Sequence, residues 1–256
     1  MNVLCIGDIV GDGGCDFLHQ KLRPLRKLYA IDLVIANGEN SVSNGAGITP
    51  KSAESLFSAG VDVITSGNHV FQRREVYDYL DESPYVIRPA NYPPGAPGKG
   101  YCVYPLMHHD VAIINLMGTV FMDALDNPFS VIKPILADLK TPIIFVDFHA
   151  EATSEKAAMA AFLDGKVSAV FGTHTHVQTS DARVQPGGTG FITDLGMTGP
   201  IHSSLGMRLE PIVHKFVTHL PTRFEMAEGP YMLNGALFHI DDASGRCLEV
   251  ETLRVE

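Results

Sequence analysis

The sequence lacks features that mark several large classes of protein. None of its 256 residues belongs to an apolar run near the roughly 20 residues of a membrane-spanning helix. The N-terminal stretch MNVLCIGDIVG has no basic region and is typical of a β-strand, so we expect no signal peptide. There is also no internal repeat, low-complexity segment or linker-like stretch. We therefore expect one domain over residues 1–256, with no membrane partner. A homo-oligomer is compatible with the sequence.

Cysteine is scarce, and its spacing argues against both a disulfide scaffold and a thiolate zinc site. No CxxC pair occurs, and two of the four cysteines lie in apolar, strand-like runs. Intracellular proteins keep such thiols reduced. We therefore interpret all four as free thiols of a cytoplasmic protein: Cys5, Cys15, Cys102 and Cys247.

Positive charge is also in short supply. The net charge is −10, and no basic run or RNA-binding motif is present. Long nucleic acids are bound through many Lys/Arg–phosphate contacts, so we expect no such partner. The GK[ST] signature of phosphate-binding loops and the GxGxxG spacing of dinucleotide-binding enzymes are both absent. A small anionic substrate remains compatible with the charge if metal ions make its site locally positive.

Short apolar segments recur along the chain, with helix-like stretches between several of them. Alternating strands and helices predict an α/β fold with a largely parallel, buried sheet. The segments that we expect to form strands are NVLCIG (2–7), DLVIAN (32–37), VDVITS (61–66), VAIINLM (111–117), PIIFVDF (142–148) and VSAVFG (167–172).

Three helices have recognisable sequence signals. FLHQKLRPLRKLY follows the first strand, and we expect Pro24 to kink or interrupt it. TPKSAESLFSAG has Thr49 as N-cap, Pro50 at the first helical position and Gly60 at its end. ATSEKAAMAAFLDG is expected to start at a Thr or Ser cap and to stop at Gly165.

The C-terminal part of the chain has a different pattern. MLNGALFHI and CLEVETLRV, joined by DDASGR, predict an antiparallel hairpin. KGYCVYPLM followed by HHDVAIINLM predicts a second hairpin. The predicted architecture is therefore an α/β sandwich of two mixed β-sheets flanked by helices.

Potential metal ligands follow five of the predicted strands. In open α/β sheets the ligand crevice lies beyond the carboxyl ends of the strands, which is where these residues stand. Taken singly, each is more typical of a turn residue, a helix cap or a satisfied core histidine. Together they predict a metal site, because every one of the five strand ends carries a donor. The donors are Asp8, Glu39, Asn40, Asn68, His149, His174 and His176, with His69 next to Asn68.

The number and chemistry of these donors indicate two metal ions. Seven donors exceed what one ion normally takes from a protein. Imidazole, carboxylate and amide groups without thiolate suit Fe, Mn or Zn. Two divalent ions would outweigh the two carboxylates and leave a local positive charge for a phosphoester.

In this order, the residues resemble the motifs of the calcineurin-like metallophosphoesterases: D-x-H, G-D, G-N-H-[DE], a lone His and G-H-x-H. Here the matching segments are GDIV (7–10), GEN (38–40), GNHV (67–70), His149 and GTHTH (172–176). Three positions depart from that pattern. Val10 replaces the first His, Glu39 replaces the bridging Asp, and Val70 replaces the acidic residue after Asn-His.

Those departures resemble one branch, the bacterial YmdB-like phosphodiesterases. IANGEN, RPANYPPGAPGKG, DFHAEATSEK, GTHTHVQT and ITDLGMTGP are similar to that branch over nearly the whole chain. The resemblance implies that Asn40 replaces the missing His. It further implies one Fe or Mn ion held by Asp8, Glu39, Asn40 and His176, and another held by Glu39, Asn68, His149 and His174.

The resemblance also implies the reaction. We expect hydrolysis of small 2′,3′-cyclic nucleotides, in which a metal-bridging hydroxide attacks phosphorus and His69 acts as general acid. Imidazole suits that role because its ordinary pKa is near neutral. The open alternatives are a regulatory protein that retains a nucleotide-binding metal site, and a phosphomonoesterase or 3′,5′-phosphodiesterase on the same centre. An amidohydrolase barrel is disfavoured, because its HxH motif usually ends the first strand.

Overall fold

The computed structural model describes all 256 residues, which form thirteen strands and six helices. The strands are β1 (Asn2–Ile6), β2 (Asp8–Ile9), β3 (Leu33–Asn37), β4 (Val63–Thr65), β5 (Tyr101–Pro105), β6 (Asp110–Met117), β7 (Ile144–His149), β8 (Ala169–Thr173), β9 (Arg183–Val184), β10 (Gly190–Ile192), β11 (Met197–Pro200), β12 (Tyr231–Ile240) and β13 (Cys247–Val255). The helices are α1 (Gly11–Leu28), α2 (Pro50–Ala59), α3 (Val76–Glu82), α4 (Pro128–Asp138), α5 (Thr153–Leu163) and α6 (Leu209–Thr218).

The strands form two mixed sheets, as the sequence predicts. The first has the order β2-β11-β12-β1-β3-β4, with β13 paired to β12 as the predicted C-terminal hairpin. The second has the order β5-β6-β7-β8-β10-β9, and β5 and β6 form the other predicted hairpin. Parallel pairing links β1, β3 and β4 in the first sheet and β6, β7, β8 and β10 in the second.

The core lies in three layers that bury both faces of each sheet. Between the sheets, Val3 and Ile35 of the first sheet share one apolar cluster with Phe145 and Phe171 of the second. A second cluster packs α1 and α2 on the outer face of the first sheet, and a third packs α4 and α5 on the second. Double-sided burial explains why the parallel strands are nearly continuous apolar runs.

Helix α1 corrects one sequence-based expectation. It begins at Gly11, well before FLHQ, and runs without interruption through Pro24 to Leu28. Pro24 lies on the exposed side of the helix, as does Gln20, whose carbonyl loses its partner. Water can satisfy that carbonyl, so the buried stripe on the opposite face keeps the helix continuous. None of the six helices meets the length and hydropathy that a membrane span requires.

The caps of the next helices follow local chemistry only in part. Thr49 caps α2 by accepting from the Ser52 backbone N–H, and Gly60 ends it with φ of 115°. For α5 the expected Thr or Ser cap is wrong. The N-cap is Ala152, which makes no side-chain cap bond, and the helix ends at Leu163. Helix α5 forms without a side-chain cap because its packing on the second sheet holds it in place.

Candidate metal centre

All eight residues singled out in the sequence meet at one edge of the sandwich. Asp8 follows β1, the pair Glu39 and Asn40 follows β3, and the pair Asn68 and His69 follows β4. His149 ends β7. The loop after β8 carries the last two, His174 and His176. The carboxyl ends of strands from both sheets thus contribute to one cluster.

One group of donors converges on His149. Its Nε2 lies 2.9 Å from Asn68 Oδ1 and 3.1 Å from His174 Nδ1. Glu39 Oε1 lies 3.1 Å from the same nitrogen. Glu39, His149 and His174 each offer a ligand atom within 4.8 Å of the others. His149 and Glu39 are fully buried, so these atoms are screened from water that would otherwise separate them.

A second group lies beside the first. Asn40 Nδ2 sits 3.3 Å from Asp8 Oδ1 and 3.2 Å from His176 Nε2. His176 Nε2 lies 3.6 Å from the same Asp8 oxygen. The amide N–H group of Asn40 therefore stands between two acceptors, in the position that a cation would take. For Asn40 to bind a cation through oxygen, its amide must turn over.

Each of the three histidines in these groups donates one ring N–H away from the cluster. His174 Nε2 pairs with Glu151 Oε2 at 3.1 Å, and His176 Nδ1 donates to the Leu205 carbonyl at 3.1 Å. His149 Nδ1 contacts Thr173 Oγ1 at 2.9 Å. The Thr173 hydroxyl donates its own proton to a carboxylate, so it must accept from the ring.

These outward bonds decide the tautomers. With one nitrogen of each ring protonated toward an outside acceptor, the other nitrogen of the neutral ring turns a lone pair inward. The lone pairs of His149 and His174 face oxygens of Glu39 and Asn68 that have no proton to share, whereas the Asn40 N–H group stands at the inward nitrogen of His176. A cation would satisfy the group around His149. The donor set therefore fits metal ions held by nitrogen and oxygen ligands.

The electrostatics of the cluster also favour a bound positive charge. Burial disfavours a charged ring at His149, but Glu39 and Asp8 outweigh it and raise the pKa of His149 to about 9. Burial and the adjacent His149 lower the pKa of His174 to about 4. For Glu39, burial is likewise outweighed by His149, which lowers the pKa of that carboxyl. The buried carboxylates thus favour positive charge at His149.

His69 occupies a different position from the other histidines. Its backbone N–H donates to Glu39 Oε2 at 2.9 Å, and its Nδ1 lies 2.6 Å from Asn40 Oδ1. The ring is about one-third exposed. Since Nδ1 is engaged by the amide oxygen, Nε2 is the nitrogen available to a substrate at the rim of the cluster.

Behind His149 lies a buried polar network that the sequence did not reveal in full. Asp147 accepts from the hydroxyls of Thr65 and Thr173, and the Asn37 amide N–H group donates to Asp147 and Thr173. Asp147 orients His149 through Thr173. Burial raises the pKa of Asp147 to about 7 against the effect of His149 and the hydroxyls.

A buried ion pair supports the histidine loop from below. Lys156 Nζ lies 2.6 Å from Asp194 Oδ2, and neither side chain is exposed by more than 1%. The same oxygen accepts from the backbone N–H of Thr175, at 3.1 Å, and Oδ1 accepts from Gly196 at 2.8 Å. Sequence analysis missed this pair, although a lysine on the apolar side of α5 was a possible signal.

The loop backbone is strained at His174 and His176. His174 has φ of 102° and His176 has φ of 62°, values that L residues rarely adopt. Such strain persists only where surrounding contacts impose it, and it is concentrated at functional sites. Here the His174 N–H bond to Asp8 at 3.0 Å and the Thr175 bond to Asp194 hold the loop.

The departure at Val10 has a structural explanation. Val10 is buried, and its side chain packs against the backbone at Gly206. The segment that contains Gly206 also supplies the Leu205 carbonyl to His176. An apolar residue at position 10 therefore supports this covering segment, while Asn40 reaches the position beside Asp8 from another strand.

Comparison with known proteins agrees with this arrangement. A family model described as YmdB-like protein matches residues 4–253. The chain belongs to the YmdB-like family. A family member from Bacillus subtilis, named 2′,3′-cyclic-nucleotide 2′-phosphodiesterase, is 45% identical over 100% of this chain and 97% of its own. A Mycoplasma genitalium relative named putative phosphatase/phosphodiesterase MG246 is 34% identical, over 100% and 93%.

Solved structures share the fold of this family member. A hypothetical protein from Thermus thermophilus superposes with a TM-score of 0.93 at 41% identity, covering 100% of this chain and 99% of the other. A putative 5′-nucleotidase from Staphylococcus aureus superposes with a TM-score of 0.63 at 15% identity, covering 100% of this chain and 54% of the other. The metallophosphoesterase-type sandwich predicted from the sequence is confirmed.

Proposed function

We propose that the chain is a metal-dependent phosphodiesterase that hydrolyses small 2′,3′-cyclic nucleotides. The observation that carries the proposal is the arrangement of the histidines: three rings turn their lone pairs toward buried carboxylates, and a fourth ring, His69, stands at the rim. The name of the Bacillus subtilis relative supports the substrate class. The net charge of −10 and the absence of a basic run support a small substrate over a long nucleic acid.

The proposed ligand sets are those implied by the resemblance to the YmdB-like family. The resemblance assigns Glu39 to both ions; its Oε1 lies at His149, and its Oε2 accepts from the His69 backbone N–H. One ion would take Glu39 with Asn68, His149 and His174. The other would take Glu39 with Asp8, Asn40 and His176. Iron or manganese suits these donors best, and zinc is compatible with them.

Two bound cations would supply a water of lowered pKa and would neutralise charge on the phosphoryl oxygens. The chain itself contributes orientation and a proton. Thr173 and Glu151 fix the rings of His149 and His174, so the ligand atoms do not reorganise during the reaction. In hydrolysis a water oxygen bonds to phosphorus as the phosphorus–oxygen bond to the ribose breaks, and the leaving oxygen takes a proton from His69 Nε2.

The substrate is tested with purified protein loaded with manganese or iron. We expect turnover of 2′,3′-cyclic AMP to exceed that of 3′,5′-cyclic AMP and of a phosphomonoester such as p-nitrophenyl phosphate. Faster turnover of the monoester would favour the phosphomonoesterase alternative. Binding of the cyclic nucleotide without turnover, in protein shown to contain metal, would favour a regulatory role.

The residue roles are tested by two histidine variants. His69→Ala should keep the metal content and lose roughly 10²–10⁴-fold in kcat, the usual contribution of general acid catalysis. His174→Ala should lower the metal content measured by elemental analysis. His108→Ala, which removes an exposed ring in the β5–β6 turn, is the matched control. Unchanged metal content and activity in His174→Ala would refute the ligand assignment.

A further inference from the structure

The loop between β6 and α4, residues 118–127, carries a phenylalanine in an unusual setting. Phe121 is 89% exposed, and its backbone has φ of 63°. Burial of an aromatic ring stabilises a fold, and bulky L residues rarely take a positive φ. Neither the exposure of this ring nor its backbone conformation therefore serves the stability of the fold. Strained positions of this kind are concentrated at functional sites.

The β6–α4 loop is tied to the rest of the chain by buried side chains. The Glu155 carboxylate of α5 accepts from the Thr119 backbone N–H at 3.0 Å and from the Thr119 hydroxyl at 3.3 Å. The Asn91 side chain donates to the carbonyls of Met117, at 2.8 Å, and Asp126, at 3.0 Å, so it closes the loop at both ends. These bonds fix the position of the backbone that carries the exposed ring.

The loop begins beside a proposed metal ligand. Met117, the last residue of β6, pairs in parallel with His149 at the end of β7. The next N–H group, from Gly118, donates to the His149 carbonyl at 2.9 Å. Phe121 follows three residues later, so its Cα lies within about 11 Å of the Gly118 Cα. The ring is therefore within reach of a small molecule held at the metal centre.

Aromatic side chains also link the loop to the rim of the centre. The ring centroid of Tyr92 lies 5.1 Å from that of Phe71, which stands two residues after His69. Burial, and then the charge of Glu39, raise the pKa of Tyr92 to about 12, so this ring lies close to the centre. The neighbouring residue, Asn91, makes the two bonds that close the β6–α4 loop. His69 and the loop thus flank one aromatic surface.

We propose that Phe121 stacks on the base of the nucleotide whose phosphate occupies the metal centre. This role rests on the proposed function, and it gives the chain a means of preferring nucleotides over simpler phosphodiesters. Aromatic rings stack on the flat face of any base, and the contact needs no hydrogen-bond pattern. Asp123 and Asp126 make the loop acidic, so it suits a neutral base and repels a phosphate.

The test separates binding from chemistry. Stacking is made equally in the bound substrate and in the transition state, so its loss should change KM and leave kcat unchanged. In metal-loaded protein, Phe121→Ala should raise the KM for 2′,3′-cyclic AMP by about 5–140-fold, the range expected for one stacked base. Phe121→Tyr keeps an aromatic face and should retain the wild-type KM. The kcat/KM for ribose 2′,3′-cyclic phosphate, which has no base, should be the same in all three proteins.

Two further variants control for effects other than loss of the ring. Met107→Ala removes an apolar side chain that is 91% exposed on the β5–β6 turn and should leave the KM unchanged. Phe121→Gly also lacks the ring, and glycine tolerates the positive φ, so this variant should match Phe121→Ala even if the latter folds poorly. A wild-type KM for 2′,3′-cyclic AMP in a folded variant without the ring, or an equal loss on the base-free substrate, refutes the stacking while the phosphodiesterase activity stands.

Failure of the proposed function would give a different result. If the metal-loaded wild type turns over no cyclic nucleotide, equilibrium dialysis with 2′,3′-cyclic AMP still tests the ring. A dissociation constant raised by the same factor in Phe121→Ala supports stacking. Equal dissociation constants, or no binding by the wild type, refute it.

Discussion

The buried pair of Lys156 and Asp194 allows a sharp test of how the histidine loop is held. Asp194 is surrounded by one ammonium and two backbone N–H groups, from Thr175 and Gly196. Lys156→Met keeps the aliphatic stem that packs against Gly172 and removes the charge. The carboxylate then stays buried with only neutral donors.

Removing one partner of a buried ion pair costs about 3–5 kcal/mol, because the other charge is left uncompensated. The two N–H donors to Asp194 offset part of this, so we expect the lower half of that range. For a chain of this size each kcal/mol corresponds to roughly 2–4 °C in Tm. Lys156→Met should therefore lower the Tm by roughly 6–16 °C, given a loss of about 3–4 kcal/mol.

The loss should depend on pH. Burial already raises the pKa of Asp194, and removing Lys156 takes away the charge that opposes this. A carboxyl with a raised pKa in the folded state contributes stability below its unfolded pKa of about 3.9 and loses it as the pH rises through the folded value. The difference in unfolding free energy between wild type and Lys156→Met should therefore grow between pH 5 and pH 8.

The assay is urea unfolding at both pH values, together with metal analysis, because Thr175 stands between two proposed ligands. The double variant Lys156→Met/Asp194→Asn is the control, since it removes both charges and keeps an oxygen acceptor for the loop. It should recover at least half of the lost free energy. A loss below about 1 kcal/mol in Lys156→Met, typical of an exposed pair, would refute the reasoning.

Two further predictions concern the neighbourhood of His149. Gly67→Ala would place a Cβ 2.1 Å from His149 Cδ2, so the ring must move, and metal affinity should fall about 10–100-fold by calorimetric titration. Gly95→Ala meets nothing within 4 Å and should leave that affinity unchanged. The pKa of Asp147 is raised to about 7, so the metal-free wild type should lose up to about 4 kcal/mol of unfolding free energy between pH 4 and pH 8. Urea unfolding of metal-free Asp147→Asn should show a smaller loss, and an equal one would contradict the assignment.

The α/β class, the two hairpins and the position of the donors at strand ends were all readable in the sequence. The reason is that strands and short turns depend on local patterns: apolar runs for β3 and β7, and the capping chemistry of Thr49 for α2. The predictions from the sequence were wrong where burial, rather than local preference, determined the structure. Pro24 is tolerated because it faces solvent, and α5 begins without its expected cap.

The groups that support the centre were mostly hidden, because they come from distant parts of the chain. Leu205 reaches His176 across 29 residues, and Lys156 reaches Asp194 across 38. A carbonyl oxygen or a lysine on a helix has no sequence signature of this role. Only the packing of β8, α5 and the segment after β11 brings them to the loop.

The linear order of residues determined which side chains could serve as ligands and which strand each of them follows, because those properties belong to single residues and local periodicity. The tertiary structure decided how the rings are turned. Thr173, Glu151 and Leu205 each take one N–H from a histidine, and this leaves the opposite nitrogens facing the carboxylates. Orientation of this kind depends on partners brought together by folding, so it cannot be predicted from neighbouring residues in the sequence.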